Sequence, residues 1–581
     1  MSEKKKRKKV VEVVGKNGER NEKKDGPGFQ PKTFVITAAQ AIQTEGHAFY
    51  YGYDSYKGAP NVPLIRNMDE YAEMHSAKTM ILQMQGMGCD EIQLHPFFEK
   101  RKDVYIDESK LSRLEAKIDA ERAKIERKRD KLDNKLEKVG DGIADRKRKE
   151  GDTDYLESVQ DLLEGRKIEL ESELEDIRGS DYFNTINVIS LNNKVVVADL
   201  IVPPQNVDPT TGRLDIAQNQ LGKTIIFAHA KQRFKCAPKS VGFKLPRLLM
   251  TTGAVTHPNY NTTNSRGDEA VWNHKYGFIV VDVLNEKRYL PRIVPAFKNG
   301  TFVDMGIEYR LGSKPKKIGV EALVLGDIHF GDHSLSTMDA NYEMIEFFAP
   351  KNVFLHDAIN GHSMNPHERE DTIRRAIAYR EGRLDIKGEF SEAYEEFIKK
   401  MAKQFQKTKF YFVYSNHSPD FIRRYLTNFD FEDEPWNDTS FTAALRTGLL
   451  EDDDPIETGL GLISLEQKIK GLPDNVYFLK LEEGMVMLGY QLGVHGHKGV
   501  NGARGSPRGM KMGYGKVIAG HTHSPEINGD CYTVGTSSII PLDYAKGQPG
   551  TAMPANAVLY SNGLVQLLPI IIGDWKPNYI K

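Results

Sequence analysis

Cysteine is scarce and scattered. Cys89, Cys236 and Cys531 are the three in 581 residues, too far apart to form a metal or redox motif. That excludes a disulfide-framed secreted fold and points to buried free thiols in a reducing compartment. Long hydrophobic runs are missing as well. No apolar stretch approaches the roughly 18 residues that a membrane helix needs, so no membrane partner is expected. Met1-Ser2-Glu3-Lys4 opens a polar segment without the apolar core of a secretory signal. Net charge is also absent. At −1, with 28% of residues charged, no global field selects nucleic acid, and any basic surface has to be local. The expectation is a soluble cytoplasmic protein long enough for two or three domains.

What the chain does have is a set of five short polar motifs. They are Gly326-Asp327-Ile328-His329-Phe330-Gly331, His356-Asp357-Ala358-Ile359-Asn360, Ser415-Asn416-His417-Ser418, Val494-His495-Gly496-His497 and Gly520-His521-Thr522-His523. Most follow a brief hydrophobic run: Ala322–Leu325, Val353–Leu355, Phe410–Val413 and Val517–Ala519. Such runs read as buried strands. The polar residues therefore fall at strand ends, where open α/β sheets build their sites. Asp, His and Asn without thiolate suit divalent Mn²⁺, Mg²⁺, Fe or Zn²⁺. A pair of such ions needs one carboxylate between them as a bridge.

In this order, the five motifs resemble the calcineurin-like metallophosphoesterases over residues 316–570. The resemblance implies one ion held by Asp327, His329, Asp357 and His523. It implies a second held by Asp357, Asn416, His495 and His521, with Asp357 bridging and His417 as the catalytic histidine. It further implies a hydroxide nucleophile activated by the metals, with His417 as general acid. Three positions depart from the family pattern. His356 and Ser415 stand where Gly is usual, which alters turn geometry. Asn360 stands where the phosphatase branch has an Asp that orients the catalytic histidine. Asn360 favours the nuclease branch, similar to DNA double-strand-break-repair nucleases. The layout also resembles the early host-DNA-degrading proteins of certain tailed bacteriophages, which would place it in a host cytoplasm. The reading that results is a Mn²⁺-dependent DNase with two divalent ions per chain, acting on DNA as a homo-oligomer. Its rivals are a small-molecule or nucleotide phosphodiesterase or phosphatase, and a metal-stabilised scaffold that recruits DNA-repair proteins.

The remaining organisation is coarser. Residues 1–32 are a lysine-rich tail, read as disordered, as a phosphate-contacting arm or as a nuclear-localisation signal. Residues 33–312 form an α/β domain of unknown role, with a strand at Thr33–Thr37, an amphipathic helix at Asp69–Met87 and further strands from Ile186 to Leu284. Inserted at 108–178 is a heptad series, Leu111, Ile118, Ile125, Leu132 and Val139, and a second one, Leu156, Leu163, Leu170 and Ile177. Two such seams joined by a glycine-containing turn predict an antiparallel coiled-coil hairpin that could grip a protein partner. Lys231, Arg233 and Lys235 around Phe234 suggest nucleic-acid contact, whereas His229 and His257 read as structural. After a linker at Gly312–Lys317, residues 313–581 are expected to form the metallophosphoesterase domain, a β-sandwich flanked by helices. Within it, Lys498, Arg504, Arg508, Lys511 and Lys516 lie in a glycine-rich, flexible loop suited to phosphate backbones. The acidic run Glu451–Asp454 reads as a solvated loop or a device that steers DNA.

Overall fold

The computed structural model describes residues 32–580 apart from internal stretches, the longest being 44–58, 85–91, 106–126, 146–158, 168–187 and 428–435. The architecture is mixed α/β, with three large sheets. A six-stranded sheet has the order Val476–Leu479, Lys409–Val413, Asn352–Leu355, Val320–Val324, Ala555–Tyr560, Val565–Pro569. Its first four strands are parallel and the last two antiparallel. Side chains alternate across it. Ala322, Val324, Phe354, Tyr411, Ala557 and Leu559 enter a core shared with the other sheets. Leu323, Val353, Leu355, Phe410, Phe412 and Val558 pack under helices on the opposite face, among them Leu335–Phe348 and Ile386–Glu392. Both faces are covered, which is why these strands read as unbroken apolar runs.

The ten-stranded sheet on the other side of that core crosses the boundary expected at residue 312. Five of its strands come from 188–251 and five from 486–533. The join is the antiparallel pairing of Ile527–Asn528 with Arg233–Phe234. An edge that pairs with a segment nearly 300 residues away leaves no periodic signal in either stretch. The expected linker is likewise part of a sheet, because Lys316–Lys317 pairs with Ile307–Glu308 at the edge of an eight-stranded sheet.

The helix expected at Asp69–Met87 is corrected. A helix runs from Val62 to Met74, started by the Asn61 side chain accepting from the Leu64 N–H, with Pro63 in the first turn. Lys78–Met84 is instead a strand, parallel to Lys32–Gln40. Met80, Leu82 and Met84 point into the shared core, so period two wins over a helical reading. Of the predicted coiled-coil hairpin, residues 127–145 are helical, and Lys167 from the second arm lies 2.7 Å from Asp133 of the first. Short helical pieces at 159–160, 163–164 and 166–167 belong to the second arm; the remainder of the hairpin, and the tail at 1–31, lie outside the described residues.

The acidic run contributes a cap. The buried Asp454 carboxylate accepts from the Ile456 and Glu457 N–H groups at the start of helix Pro455–Glu466. Burial raises its pKa to about 6.

One buried ion cluster ties the eight-stranded sheet to the six-stranded one. Arg292 engages Asp304 at 2.7 and 2.9 Å and also Asp282, while Gln566 of the six-stranded sheet donates to Asp304 at 2.8 Å. Burial opposes the Asp304 charge, yet Arg292 holds its pKa below the ordinary value. Arg292→Ala would strand two buried carboxylates, at a cost of roughly 3–5 kcal/mol, read from the urea unfolding transition. Because a depressed carboxylate pKa stabilises only while the group is ionised, that contribution should disappear as pH falls through the folded-state pKa. A loss under about 1 kcal/mol, the worth of an exposed pair, would contradict the account.

Candidate metal centre

Loops from two sheets converge on one point. Beyond Val324 the chain runs through Leu325 and Gly326 to Asp327, beyond Leu355 to His356 and Asp357, and beyond Val413 to Asn416 and His417. From the ten-stranded sheet, the loop after Tyr490–Gln491 brings His495, and the loop after Val517–Ala519 brings His521 and His523. The first two loops zip together, since Ile328 N–H donates to the His356 carbonyl at 2.9 Å and His329 N–H to the Asp357 carbonyl at 2.7 Å. Gly520 is needed for closure. A Cβ there would run into the Asp327 carboxylate and come within 2.9 Å of His356 Cβ.

The backbone is under strain at the same place. Among the described residues, four of the ten non-glycine positions with positive φ are His329 at 49°, Asp357 at 41°, His521 at 72° and His523 at 55°. Left-handed backbone at non-glycine residues costs on the order of 1–3 kcal/mol each and persists where the surroundings over-determine it.

Asp327, His329, Asp357 and His523 bring their ligand-type atoms within 4.8 Å of one another, and all four are buried. His329 Nε2 lies 3.0 Å from His523 Nε2 and 3.7 Å from Asp357 Oδ2, while His523 Nε2 lies 3.1 Å from Asp327 Oδ2. Asp357 Oδ2 accepts no hydrogen bond despite its burial. Two ligands at right angles on an ion about 2.1 Å away stand about 3 Å apart. These residues therefore fit a divalent cation, which would satisfy the orphaned oxygen. Beside them, His495 Nε2 lies 3.2 Å from the same Asp357 oxygen and 3.0 Å from Asn416 Oδ1. The His521 ring is 5.2 Å from the His495 ring, centroid to centroid, and its backbone N–H donates to Asp327 at 2.9 Å.

Protonation is set by burial. It pushes the His329 pKa down to about 3 and His356 and His521 to about 4, leaving neutral imidazoles. Burial opposes the carboxylate charges too, but the His523 hydrogen bond outweighs it at Asp327, and nearby His495 and His417 outweigh it at Asp357, so both stay ionised. Burial likewise opposes His495 protonation, and Asp357 more than compensates, so its pKa rises. Ionised carboxylates beside neutral His329 and His521 are the state in which such residues bind metal, whereas His495 would give up a proton on binding one.

Asn360 does work the sequence did not reveal. Its Nδ2 donates to Asp332 at 3.0 Å, which turns its Oδ1 toward His329 Nδ1, also at 3.0 Å. The His329 proton is thereby held on Nδ1 and the Nε2 lone pair faces the cluster. The Asn360 backbone carbonyl lies 3.3 Å from His417 Nδ1, so a carbonyl stands where a carboxylate would orient that ring. The His417 ring sits edge-on to His329 at 4.6 Å, and burial lowers its pKa. His356, read from the sequence as a change of turn geometry, also brings its side chain to the site. It is fully buried, and its Nδ1 lies 3.3 Å from His495 Nδ1.

The basic segment is ordered differently from the flexible loop expected. Pro507–Tyr514 is a helix capped by Ser506. Lys498, Arg504, Arg508 and Lys516 are exposed, but Lys511 is half-buried and donates to Asn273 Oδ1 at 2.9 Å. Lys231 and Arg233 do not form a nucleic-acid surface, because both are buried, Arg233 between Asp208 and Glu526. His229 is structural, accepting from the Lys231 N–H at 2.9 Å.

No known family model matches the chain, and no solved structure matches it. It is similar to Protein A1 of Escherichia phage T5, 26% identical over 390 residues that cover 64% of this chain and 68% of that protein. No helix of the described residues is long and apolar enough to cross a membrane.

The crowding at Gly520 gives a direct check. Gly520→Ala should weaken Mn²⁺ binding by at least about tenfold, as displaced ligand supports do, measured by elemental analysis and Mn²⁺ titration. Unchanged affinity would show that Asp327 and His356 are not held as described.

Proposed function

We propose that the chain is a dinuclear-metal phosphodiesterase of the calcineurin-like kind, and that it hydrolyses DNA with Mn²⁺ as the preferred ion. The observation that carries this reading is Asp357 Oδ2, a buried carboxylate oxygen without a well-directed hydrogen bond, standing between His329 Nε2 at 3.7 Å and His495 Nε2 at 3.2 Å. Asp327, His329, Asp357 and His523 would hold one ion, and Asp357, Asn416, His495 and His521 the second. Bound there, two divalent ions would supply Lewis acidity toward a phosphoryl group and lower the pKa of a water that could attack it.

The protein's own residues do the rest. Asp357 keeps the two halves of the site in register. Asn360 fixes the His329 tautomer, and its carbonyl fixes the His417 ring so that Nε2 is directed away from the backbone. His417 is lowered by burial, so it needs the phosphate anion beside it to favour the imidazolium that protonates a leaving alkoxide. DNA is favoured over a small molecule by the exposed Lys498, Arg504, Arg508 and Lys516 on the segment that links two ligand loops. The phage relative agrees with a protein that acts in a host cytoplasm, where homo-oligomers and a partner gripped by the hairpin belong to the same proposal.

His417→Ala should keep bound metal and the folded state while losing on the order of 10²–10⁴ in turnover, assayed on linear and circular duplex DNA with Mn²⁺, Mg²⁺ or EDTA. Cleaved circles would make it an endonuclease. Intact DNA in every lane, with p-nitrophenyl phosphoesters still hydrolysed, would replace this reading with a small-molecule enzyme.

A further inference from the structure

We propose that His356 positions His495 for the second ion of the centre, by accepting a hydrogen bond from His495 Nδ1. This rests on the two-ion reading above and adds to it a residue outside both proposed ligand sets. His495 can serve an ion beside Asp357 only through Nε2, the nitrogen that faces Asn416 Oδ1 at 3.0 Å and Asp357 Oδ2 at 3.2 Å. A neutral imidazole that gives its Nε2 lone pair to a metal carries its proton on Nδ1. That proton is buried, and a buried donor needs an acceptor. Among the described residues, the hydrogen-bond partner of that nitrogen is His356 Nδ1 at 3.3 Å, with the rings 5.4 Å apart and tilted by 36°.

The placement of His356 is enforced. Its carbonyl accepts from Ile328 N–H, and Gly520 presses close enough that a Cβ would come within 2.9 Å of its Cβ and Cγ. The cost is visible as well, because His356 Nε2 is buried with no partner. With Nδ1 accepting, the His356 proton sits on Nε2, so the arrangement leaves one buried donor unsatisfied, a cost on the order of 1–3 kcal/mol. Ligating histidines elsewhere pass their second proton to a carboxylate, a carbonyl or water. Here a second histidine takes it, at the position immediately before the bridging carboxylate. A competing arrangement is visible too. Asp327, His356 and His495 themselves bring ligand-type atoms within 4.8 Å, which would make His356 a direct ligand of a separate ion.

The test compares the full chain as wild type, His356→Ala and His356→Asn, titrated with Mn²⁺ and followed by electron paramagnetic resonance and elemental analysis. Asn places its Oδ1 where Nδ1 stood. The unfolding midpoint in EDTA reports folding without metal. His356→Ala should bind the first ion as wild type does and the second about 10–100-fold more weakly, with loss of the spin-coupled signal at limiting Mn²⁺. His356→Asn should restore most of the second-site affinity. Equal affinity for both ions in His356→Ala overturns the proposal. So does joint loss of both ions in the Ala and Asn variants with a lowered midpoint in EDTA, which would make His356 a packing residue. A third ion in wild type that His356→Ala removes would make it a ligand instead. If wild type itself takes up fewer than two ions, the dinuclear reading fails first, and the failure is seen before any variant is compared.

Discussion

Two carboxylates fully removed from water, Asp327 and Asp357 at 0% and 1% exposure, set the terms for the rest of this molecule. An ionised carboxylate in the interior is tolerated only with opposite charge or donors around it. None of the partners is local. His523 and the His521 N–H reach Asp327 from the ten-stranded sheet, and His495 reaches Asp357 from the same sheet, while His329 comes from the loop zipped against it. The sandwich of two sheets therefore follows from the site as much as it supports it. Separate the sheets, and two buried charges lose their neutralisation together.

That constraint also explains the local conformations. Four of the candidate metal ligands adopt left-handed backbone although each carries a Cβ, and the glycines fall where backbones nearly touch. Gly326 packs against the peptide of Gly535, and Gly520 against Asp327 and His356. Strain of this kind is held by the surrounding hydrogen bonds, such as Asp327 N–H to the Gly535 carbonyl and Ser537 N–H to the Asp327 carbonyl. The strain is concentrated at the residues with chemical capacity.

How much of this could be read from the chain differs by element. The strands at 320–324, 352–355 and 409–413 were legible because both their faces are covered, which writes a continuous apolar run into each. The polar residues at their ends were legible for the same reason, as abrupt changes of type. Lys78–Met84 was not, since its apolar residues satisfy a helical and a strand period over so short a span. The ten-stranded sheet was hidden because Arg233–Phe234 pairs with Ile527–Asn528, and sequence spacing carries nothing about that contact. Arg233 looked like a surface cation, and only the presence of Asp208 and Glu526 around it makes burial affordable. His356 and Asn360 stood out as departures from a family pattern, yet what they do depends on which nitrogen or oxygen faces which neighbour.

The proposed two-ion centre is open to one direct measurement. Crystals grown with Mn²⁺ and measured at the manganese absorption edge would locate bound ions by anomalous scattering. The account predicts two peaks about 3.5–4 Å apart on either side of Asp357, one near Asp327, His329 and His523 and the other near Asn416, His495 and His521. A single peak, or two that do not share Asp357, would contradict it.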